Sequence, residues 1–152
     1  MKACTAVILV VLSFLPGLSG FFFRPGDWYE GLVKPEFTPP GFVFSLVWPL
    51  LYLLMGIASV LAWRGGRGRF RFPWLLFVLQ LALNALWPWI FFGKHNLVFA
   101  VVEILPLVLV TLLLLLEYAR RRPAAGLLLV PYLLWLLFAM LLAYRFFLLN
   151  PV

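Results

Sequence analysis

The chain has 152 residues, of which 66% are hydrophobic and 11% are charged, whereas an ordinary soluble domain has roughly 45–50% and 25%. So few charged side chains cannot cover the surface of a short soluble domain, and we predict a membrane protein. Twelve Lys and Arg against five Asp and Glu give a formal charge of +7. The arginines cluster in short breaks between apolar runs, which is typical of membrane loops. We therefore expect a lipid bilayer as partner and no nucleic acid.

Five apolar runs are long enough to cross a bilayer as helices, which takes about 20 residues each. The sequence predicts an all-α membrane protein, a five-transmembrane-helix bundle in a single domain over residues 1–152. The predicted helices cover about residues 3–23, 41–63, 72–92, 97–116 and 124–149. The first run also resembles a signal peptide, with Leu18-Ser19-Gly20 near a cleavage site. Because apolar residues continue to the charged break at Arg24, we interpret this run as a span.

Basic residues are distributed unevenly over the two sides of the predicted bundle. The side of the N-terminus carries eight: Lys2, Arg64, Arg67, Arg69, Arg71, Arg120, Arg121 and Arg122. The other side carries four: Arg24, Lys34, Lys94 and Arg145. The positive-inside rule therefore predicts a multi-pass protein with a cytoplasmic N-terminus, without naming the membrane.

The first connection, residues 24–40, differs from the other three. It is longer, carries charges of both signs, and contains Trp28, Tyr29 and four prolines. A plain linker needs neither large aromatic side chains nor so many fixed φ angles. We predict that this segment is a partly ordered lid over one end of the bundle.

Aromatic residues make up 18% of the chain. Trp63 and Trp74 adjoin basic residues and are candidates for the interfacial aromatic belt. Others recur at helical spacing on three predicted faces: Trp48, Tyr52 and Met55; Gln80, Asn84, Trp87 and Phe91; Trp135, Phe138 and Ala139. Each face alone fits ordinary packing. However, an amide such as Asn84 needs a partner inside a membrane, and Trp packs poorly between helices. Together the faces predict an aromatic cleft.

Interior prolines and two ionisable residues leave alternatives open. The prolines are Pro16, Pro49, Pro88, Pro106 and Pro131; they can kink helices and open space between them, or simply be tolerated. Arg145 lies close enough to a span end for its side chain to reach the interface. Glu103 lies within a span, where it would be protonated, paired or facing a polar cavity.

Motifs of known catalytic and metal sites are missing from the sequence. The single cysteine, Cys4, and the single histidine, His95, exclude a disulfide scaffold and a zinc centre. The Gly-rich break after Arg64 lacks the Gly-Lys-Ser/Thr ending of a phosphate-binding loop. We therefore predict no metal site, no required cofactor and no catalytic residue of a standard hydrolase or nucleotide-dependent enzyme.

Three segments resemble the TspO/MBR family. The lid and second helix read Trp28-Tyr29-x-x-Leu32-x-Lys34-Pro35-x-Phe37-x-Pro39-Pro40 and Trp48-Pro49-x-x-Tyr52-x-x-Met55-Gly56. The third helix reads Gln80-Leu81-x-Leu83-Asn84-x-x-Trp87 and Phe91-Phe92-Gly93. The fifth reads Pro131-Tyr132-x-x-Trp135-x-x-Phe138-Ala139.

The resemblance implies a five-helix bundle, usually a homodimer, that binds porphyrins, sterols and benzodiazepine-type drugs under the first loop. The pocket residues that it implies are Tyr29, Pro39, Trp48, Asn84, Trp87, Trp135 and Ala139, to which the aromatic faces add Tyr52 and Phe138. Some members break down protoporphyrin in light, and Trp48 and Trp135 would then be the catalytic tryptophans. The sterol-contact pattern of the family is broken here, because Tyr144 is followed directly by Arg145.

Our leading hypothesis is a membrane receptor or sensor that binds a tetrapyrrole such as protoporphyrin or haem and regulates tetrapyrrole or stress responses. Stacking on Trp faces would provide affinity, Asn84 a hydrogen bond, and Lys34 or Arg24 a partner for propionates. The porphyrin is a ligand here rather than a required cofactor. The alternatives are a light-dependent porphyrin-degrading enzyme and a translocator of porphyrin-like or sterol-like ligands.

Overall fold

A computed structural model describes residues 3–65 and 71–151. These residues form α1 (Ala3–Ser13), α2 (Leu15–Phe22), α3 (Asp27–Glu30), α4 (Gly41–Gly65), α5 (Arg71–Pro88), a π-helical turn (Trp89–Gly93), α6 (Leu97–Arg121) and α7 (Pro123–Leu149). Five helical stretches are long and apolar enough to cross a membrane: α1 with α2, α4, α5 with the π-helical turn, α6, and α7. The predicted all-α bundle of five spans is confirmed.

The first span is not the single continuous helix over residues 3–23 that the sequence predicted. It breaks at Phe14, between α1 and α2. The cause is Pro16 at the start of α2, which has no amide hydrogen and whose ring collides with the carbonyl four residues earlier. Phe14 and Gly17 instead donate their amide hydrogens to carbonyls three residues back, at 3.1 and 3.0 Å.

The predicted end of the fourth span at residue 116 is also wrong. The helix continues to Arg121, and the ion pair between Arg120 Nη1 and Glu117 Oε1, at 2.7 Å, lies in this extra turn. Arg122 is extended, with φ −155° and ψ 117°, because a residue before proline is disfavoured in the helical region. The other predicted span ends differ by at most two residues. Lys2, Arg67 and Arg69, used for the predicted orientation, lie outside the described residues.

The spans form a closed ring in which each packs on two neighbours. In ring order, α4 packs on α7, α7 on α6 and α6 on α5. The broken first span closes the ring, since α1 packs on α4 and α2 packs on α5. Gly56 permits close approach of α1, because a Cβ there would lie 2.9 Å from the Cα of Val10. Small residues commonly mediate such contacts between membrane helices.

Four interior prolines lie within helical segments that continue past them: Pro49, Pro88, Pro106 and Pro131. Among the five prolines named from the sequence, only Pro16 coincides with a break in a helix. The belt candidates Trp63 and Trp74 are both exposed, as is Arg145. Exposure of large apolar side chains on all five spans agrees with lipid as their surroundings.

Candidate functional site

The lid, residues 24–40, covers one end of the bundle with α3. Tyr29 lies among three aromatic rings, with centroid distances of 5.5 Å to Phe92, 5.6 Å to Phe146 and 6.3 Å to Phe91. Trp28 stacks on His95, which has a φ of 55°, with centroids 4.4 Å apart and the rings 12° from parallel. Both aromatic residues of α3 therefore pack on rings near the ends of α5 and α7.

A hydrogen-bonded latch joins the lid to the end of the last helix. Val33 donates its amide hydrogen to Asn150 Oδ1 at 2.9 Å, and Asn150 Nδ2 donates to the Val33 carbonyl at 3.0 Å. The same nitrogen lies 2.9 Å from the carbonyl of Phe146. One side chain thus satisfies both backbone groups of a lid residue, as a neighbouring β-strand would.

The two lid cations named from the sequence already have partners within the chain. Lys34 Nζ lies 2.6 Å from Glu30 Oε2 and 4.8 Å from the centre of the Tyr29 ring. Arg24 donates from Nε to the Phe21 carbonyl at 2.7 Å and covers the Phe21 ring. Burial raises the pKa of the Tyr29 phenol; the positive charge of Lys34 lowers it and the negative charge of Glu30 raises it.

Deeper in the bundle, an amide on α5 connects tyrosines on two other spans. Tyr52 on α4 donates its hydroxyl hydrogen to Asn84 Oδ1 at 3.0 Å. Asn84 Nδ2 donates to the Tyr132 hydroxyl on α7 at 2.5 Å. Trp48 packs against both tyrosine rings, at 5.7 Å and 6.2 Å between centroids. The two tyrosine hydroxyls are thus the hydrogen-bond partners that an amide such as Asn84 needs inside a membrane.

Trp135 lies beside this polar chain on α7, with an indole nitrogen that stays unpaired. Its ring contacts Phe44 and Phe138 at 5.7 and 5.3 Å. Its Nε1 is buried and finds no hydrogen-bond partner among residues 3–65 and 71–151. Phe138 in turn meets Phe37 of the lid at 6.2 Å. A buried donor therefore lies where the lid, α4 and α7 meet.

Trp87 lies between the lid and the deeper tyrosines. It stacks on Phe91 with centroids 4.8 Å apart and the rings 20° from parallel. Its Nε1 donates to the carbonyl of Ala100 at 3.2 Å. Phe91 belongs to the π-helical turn, and it still lies on the buried side with Gln80 and Asn84. Such turns occur often at functional sites.

Glu103 is buried in α6, where it was one of two ionisable residues noted from the sequence. It is 7% exposed, and neither carboxylate oxygen has a hydrogen-bond partner within the described part of the chain. Ala100, one turn earlier on α6, accepts the hydrogen bond from Trp87. An uncompensated carboxylate is costly at this depth.

The structure brings most of the predicted site residues into two adjoining groups. Trp48, Tyr52 and Asn84 contact one another directly or through Tyr132, and Trp135 pairs with Phe138. Tyr29 and Trp87 meet through Phe91 under the lid. Ala139 packs beside the main core, and Pro39 is half-buried in the lid.

Six aromatic residues at these contacts were not predicted as site residues: Phe37, Phe44, Phe91, Phe92, Tyr132 and Phe146. Helical spacing carried a signal for two of them. Phe44 precedes Trp48 by one turn, and Tyr132 lies three residues before Trp135. Phe91 had been placed on the predicted face without being counted in the site.

Comparison with known proteins gives related chains. A family model described as TspO/MBR family matches residues 4–149. The chain belongs to the TspO/MBR family. A TspO/MBR relative from Archaeoglobus fulgidus, named tryptophan-rich protein TspO, is 40% identical over 95% of both chains. The translocator protein of Bos taurus is 36% identical over 94% of this chain and 90% of its own.

A tryptophan-rich sensory protein of Cereibacter sphaeroides is 34% identical over 79% of this chain and 75% of its own. The TspO/MBR match includes the lid, the deeper tyrosines and the latch end of α7 up to Leu149. The chain is thus a multi-pass membrane protein of the TspO/MBR family, as its motifs indicated.

Proposed function

We propose that this chain is a membrane receptor or sensor that binds a tetrapyrrole, such as protoporphyrin or haem, between the lid and the tyrosine pair. The observation that carries the proposal is the buried, unpaired Nε1 of Trp135 within an aromatic wall. A buried donor without a partner is costly, and a ligand acceptor would relieve that cost.

The surrounding rings suit a flat, apolar ligand. Trp48, Trp135 and Phe138 offer aromatic faces from α4 and α7, where ring stacking adds to burial of apolar area. The lid brings Lys34 and Arg24 to the same end. A carboxylate of the ligand would replace Glu30 as the ion-pair partner of Lys34. This favours an amphipathic acid over a neutral sterol as the ligand.

A spectral titration with protoporphyrin tests the proposal. We expect saturable binding by the purified chain, weakened at least tenfold when Trp48 and Trp135 are both changed to Phe. Trp74→Phe is the matched control, because Trp74 is exposed at the opposite end of the bundle and its loss should leave the affinity unchanged. Equal affinities for parent and double variant would refute the site.

Light-dependent oxidation of the bound porphyrin, with dissolved molecular oxygen as the oxidant that is reduced, is the second candidate function. It is favoured by the contact of Trp48 with Tyr52 and Tyr132, which places three oxidisable rings together. Illumination of the complex should then bleach the porphyrin spectrum in the parent and not in Trp135→Phe. An unchanged spectrum in light would remove this activity and leave ligand binding intact.

The names of the relatives include both translocator and sensory protein. Passage of the ligand across the bilayer is therefore a third candidate. Flux of porphyrin into sealed liposomes that contain the chain, compared with empty liposomes, separates transport from binding alone. We also propose that the chain forms a homodimer. The mass of the purified protein tests this.

A further inference from the structure

A cavity lies at the end of the bundle away from the lid. Its volume is about 330 Å³, and its walls come from three elements: Thr5, Ile8 and Leu9 of α1, Trp63 of α4, and Arg71 and Trp74 of α5. Trp48, Asn84 and Trp135 take no part in it. This cavity, called the basal cavity below, is therefore separate from the site proposed for the tetrapyrrole.

The break in the first span explains why the basal cavity opens there. α1 packs on α4, whereas α2 packs on α5. Below the break at Phe14 the first span therefore leans toward α4 and leaves a gap beside the start of α5. Ile8 and Trp74, which face this gap, are 54% and 38% exposed. The gap opens sideways toward the position of lipid.

The walls of the basal cavity combine two chemistries. Most of the lining is apolar or aromatic, and among the described residues Arg71 is its one cationic side chain. Trp63 and Trp74 are amphipathic side chains of the kind that lies at headgroup depth. An arginine at that depth can hold a phosphate through two parallel hydrogen bonds, while acyl chains follow the apolar surface below it.

The charge at this end of the bundle favours an anionic occupant. Among the described residues, five arginines lie there (Arg64, Arg71, Arg120, Arg121 and Arg122) with a single carboxylate, Glu117. Glu117 is paired with Arg120. The lid end, by contrast, has three carboxylates, Asp27, Glu30 and Glu36, against four basic residues. Basic pockets between membrane helices bind anionic headgroups.

We propose that the basal cavity binds one anionic phospholipid of the surrounding leaflet. Its phosphate lies on Arg71 between Trp63 and Trp74, and an acyl chain lies along Ile8 and Leu9. This site is independent of the tetrapyrrole site, so that loss of one leaves the other intact.

Native mass spectrometry of the full chain released from detergent tests the proposal. We compare phosphatidylglycerol with phosphatidylcholine, both dioleoyl and at equal concentrations, and expect one preferentially retained phosphatidylglycerol. Arg71→Gln should lower its bound fraction about fivefold, in line with the contribution of one surface arginine, and leave phosphatidylcholine unchanged. Arg71 is exposed, so its replacement does not disturb the core.

Two further variants make the result specific. Arg145→Gln removes an exposed arginine near the opposite end and should change nothing. Ile8→Trp keeps every charge but fills the cavity, and should displace phosphatidylglycerol as Arg71→Gln does. Equal retention of the two lipids, wild-type retention by Arg71→Gln, or an equal loss in Arg145→Gln would each overturn the proposal.

Discussion

At the scale of single residues, Asn84 determines how three spans meet. Its amide oxygen accepts from Tyr52 and its nitrogen donates to Tyr132, and all three side chains are buried. In a membrane, hydrophobic burial neither drives helices together nor fixes their register, because lipid tails are as apolar as the helix faces. A directional pair of hydrogen bonds supplies that register.

Removal of the Asn84 amide should therefore destabilise the fold. We expect Asn84→Leu to cost about 1–2 kcal/mol, because two buried hydroxyl groups lose their partner. Thermal unfolding in detergent, followed by circular dichroism, measures the loss. The matched control adds Tyr52→Phe and Tyr132→Phe, which removes the stranded hydroxyls and should recover most of the stability. A triple variant less stable than Asn84→Leu would contradict this explanation.

Tyr29 makes the lid sensitive to alkaline pH. Burial raises the pKa of its phenol above the ordinary value of 10.0. A group that binds its proton more tightly when folded contributes full stability below its unfolded pKa and loses it as pH rises through the folded one. Lid stability should therefore be constant below pH 10.0 and fall above it.

The tyrosinate absorbance difference between the parent and Tyr29→Phe measures this pKa. Lys34→Gln should move the midpoint further up, since the Lys34 charge lowers the pKa, and Glu30→Gln should move it down. A titration midpoint that is the same in the parent and in both variants would show that these charges do not act on Tyr29.

At the scale of elements, the lid is attached to the bundle by rings and by one latch. The rings of Trp28 and Tyr29 give burial, whereas Asn150 gives two directional bonds to Val33. Rings can slide on one another at little cost, but the latch fixes one position. Under the proposed function, entry of a ligand as large as a porphyrin would need the lid to move, and the latch would then control access.

Loss of the latch should free the lid without unfolding the spans. In Asn150→Ala we expect hydrogen exchange at the Val33 amide to accelerate about tenfold, equivalent to about 1.4 kcal/mol. Asn96→Ala is the control, because Asn96 caps α6 through the Phe99 amide and does not contact Val33. Unchanged exchange at Val33 in Asn150→Ala would exclude the latch.

Sequence patterns predicted the helices better than the breaks within them and the contacts between them. Apolar length predicted five spans, and helical spacing placed Trp48, Tyr52 and Asn84 on inward faces. The pairing of Asn84 with Tyr132 depends on which helices are neighbours in the ring, and spacing within one helix carries no such information. The break at Phe14 lies beside Pro16, one of five interior prolines. The sequence pattern did not indicate which of the five would interrupt its helix.

At the scale of the whole molecule, the two ends differ in charge and in contents. The end with the basal cavity is strongly basic, and the lid end is nearly balanced. Basic residues are retained on the cytoplasmic side of membranes. Among the described residues, the arginines at positions 64, 71 and 120–122 lie at the end of the bundle where α1 begins, and the cytoplasmic orientation of that end stays a prediction.

The single cysteine makes this orientation measurable. Cys4 is exposed near the start of α1, so a membrane-impermeant maleimide should label it only from the cytoplasmic face. Cys4→Ser combined with Glu36→Cys moves the thiol to the exposed lid and should reverse the labelling. Labelling of Cys4 from the outer face of intact cells would invert the assigned topology.

The break at Phe14 separates the motion of α2, at one end of the molecule, from the motion of α1 at the other end. α2 packs on α4 and α5, where Gly17 adjoins Tyr52 and Ser19 donates to the carbonyl of Ala85 at 2.5 Å. α1 is seated against Gly56. A continuous helix would pivot as a rigid rod and transmit any tilt along its whole length. With the two proposed sites occupied, a jointed span would let α2 shift with the tetrapyrrole while α1 keeps its lipid.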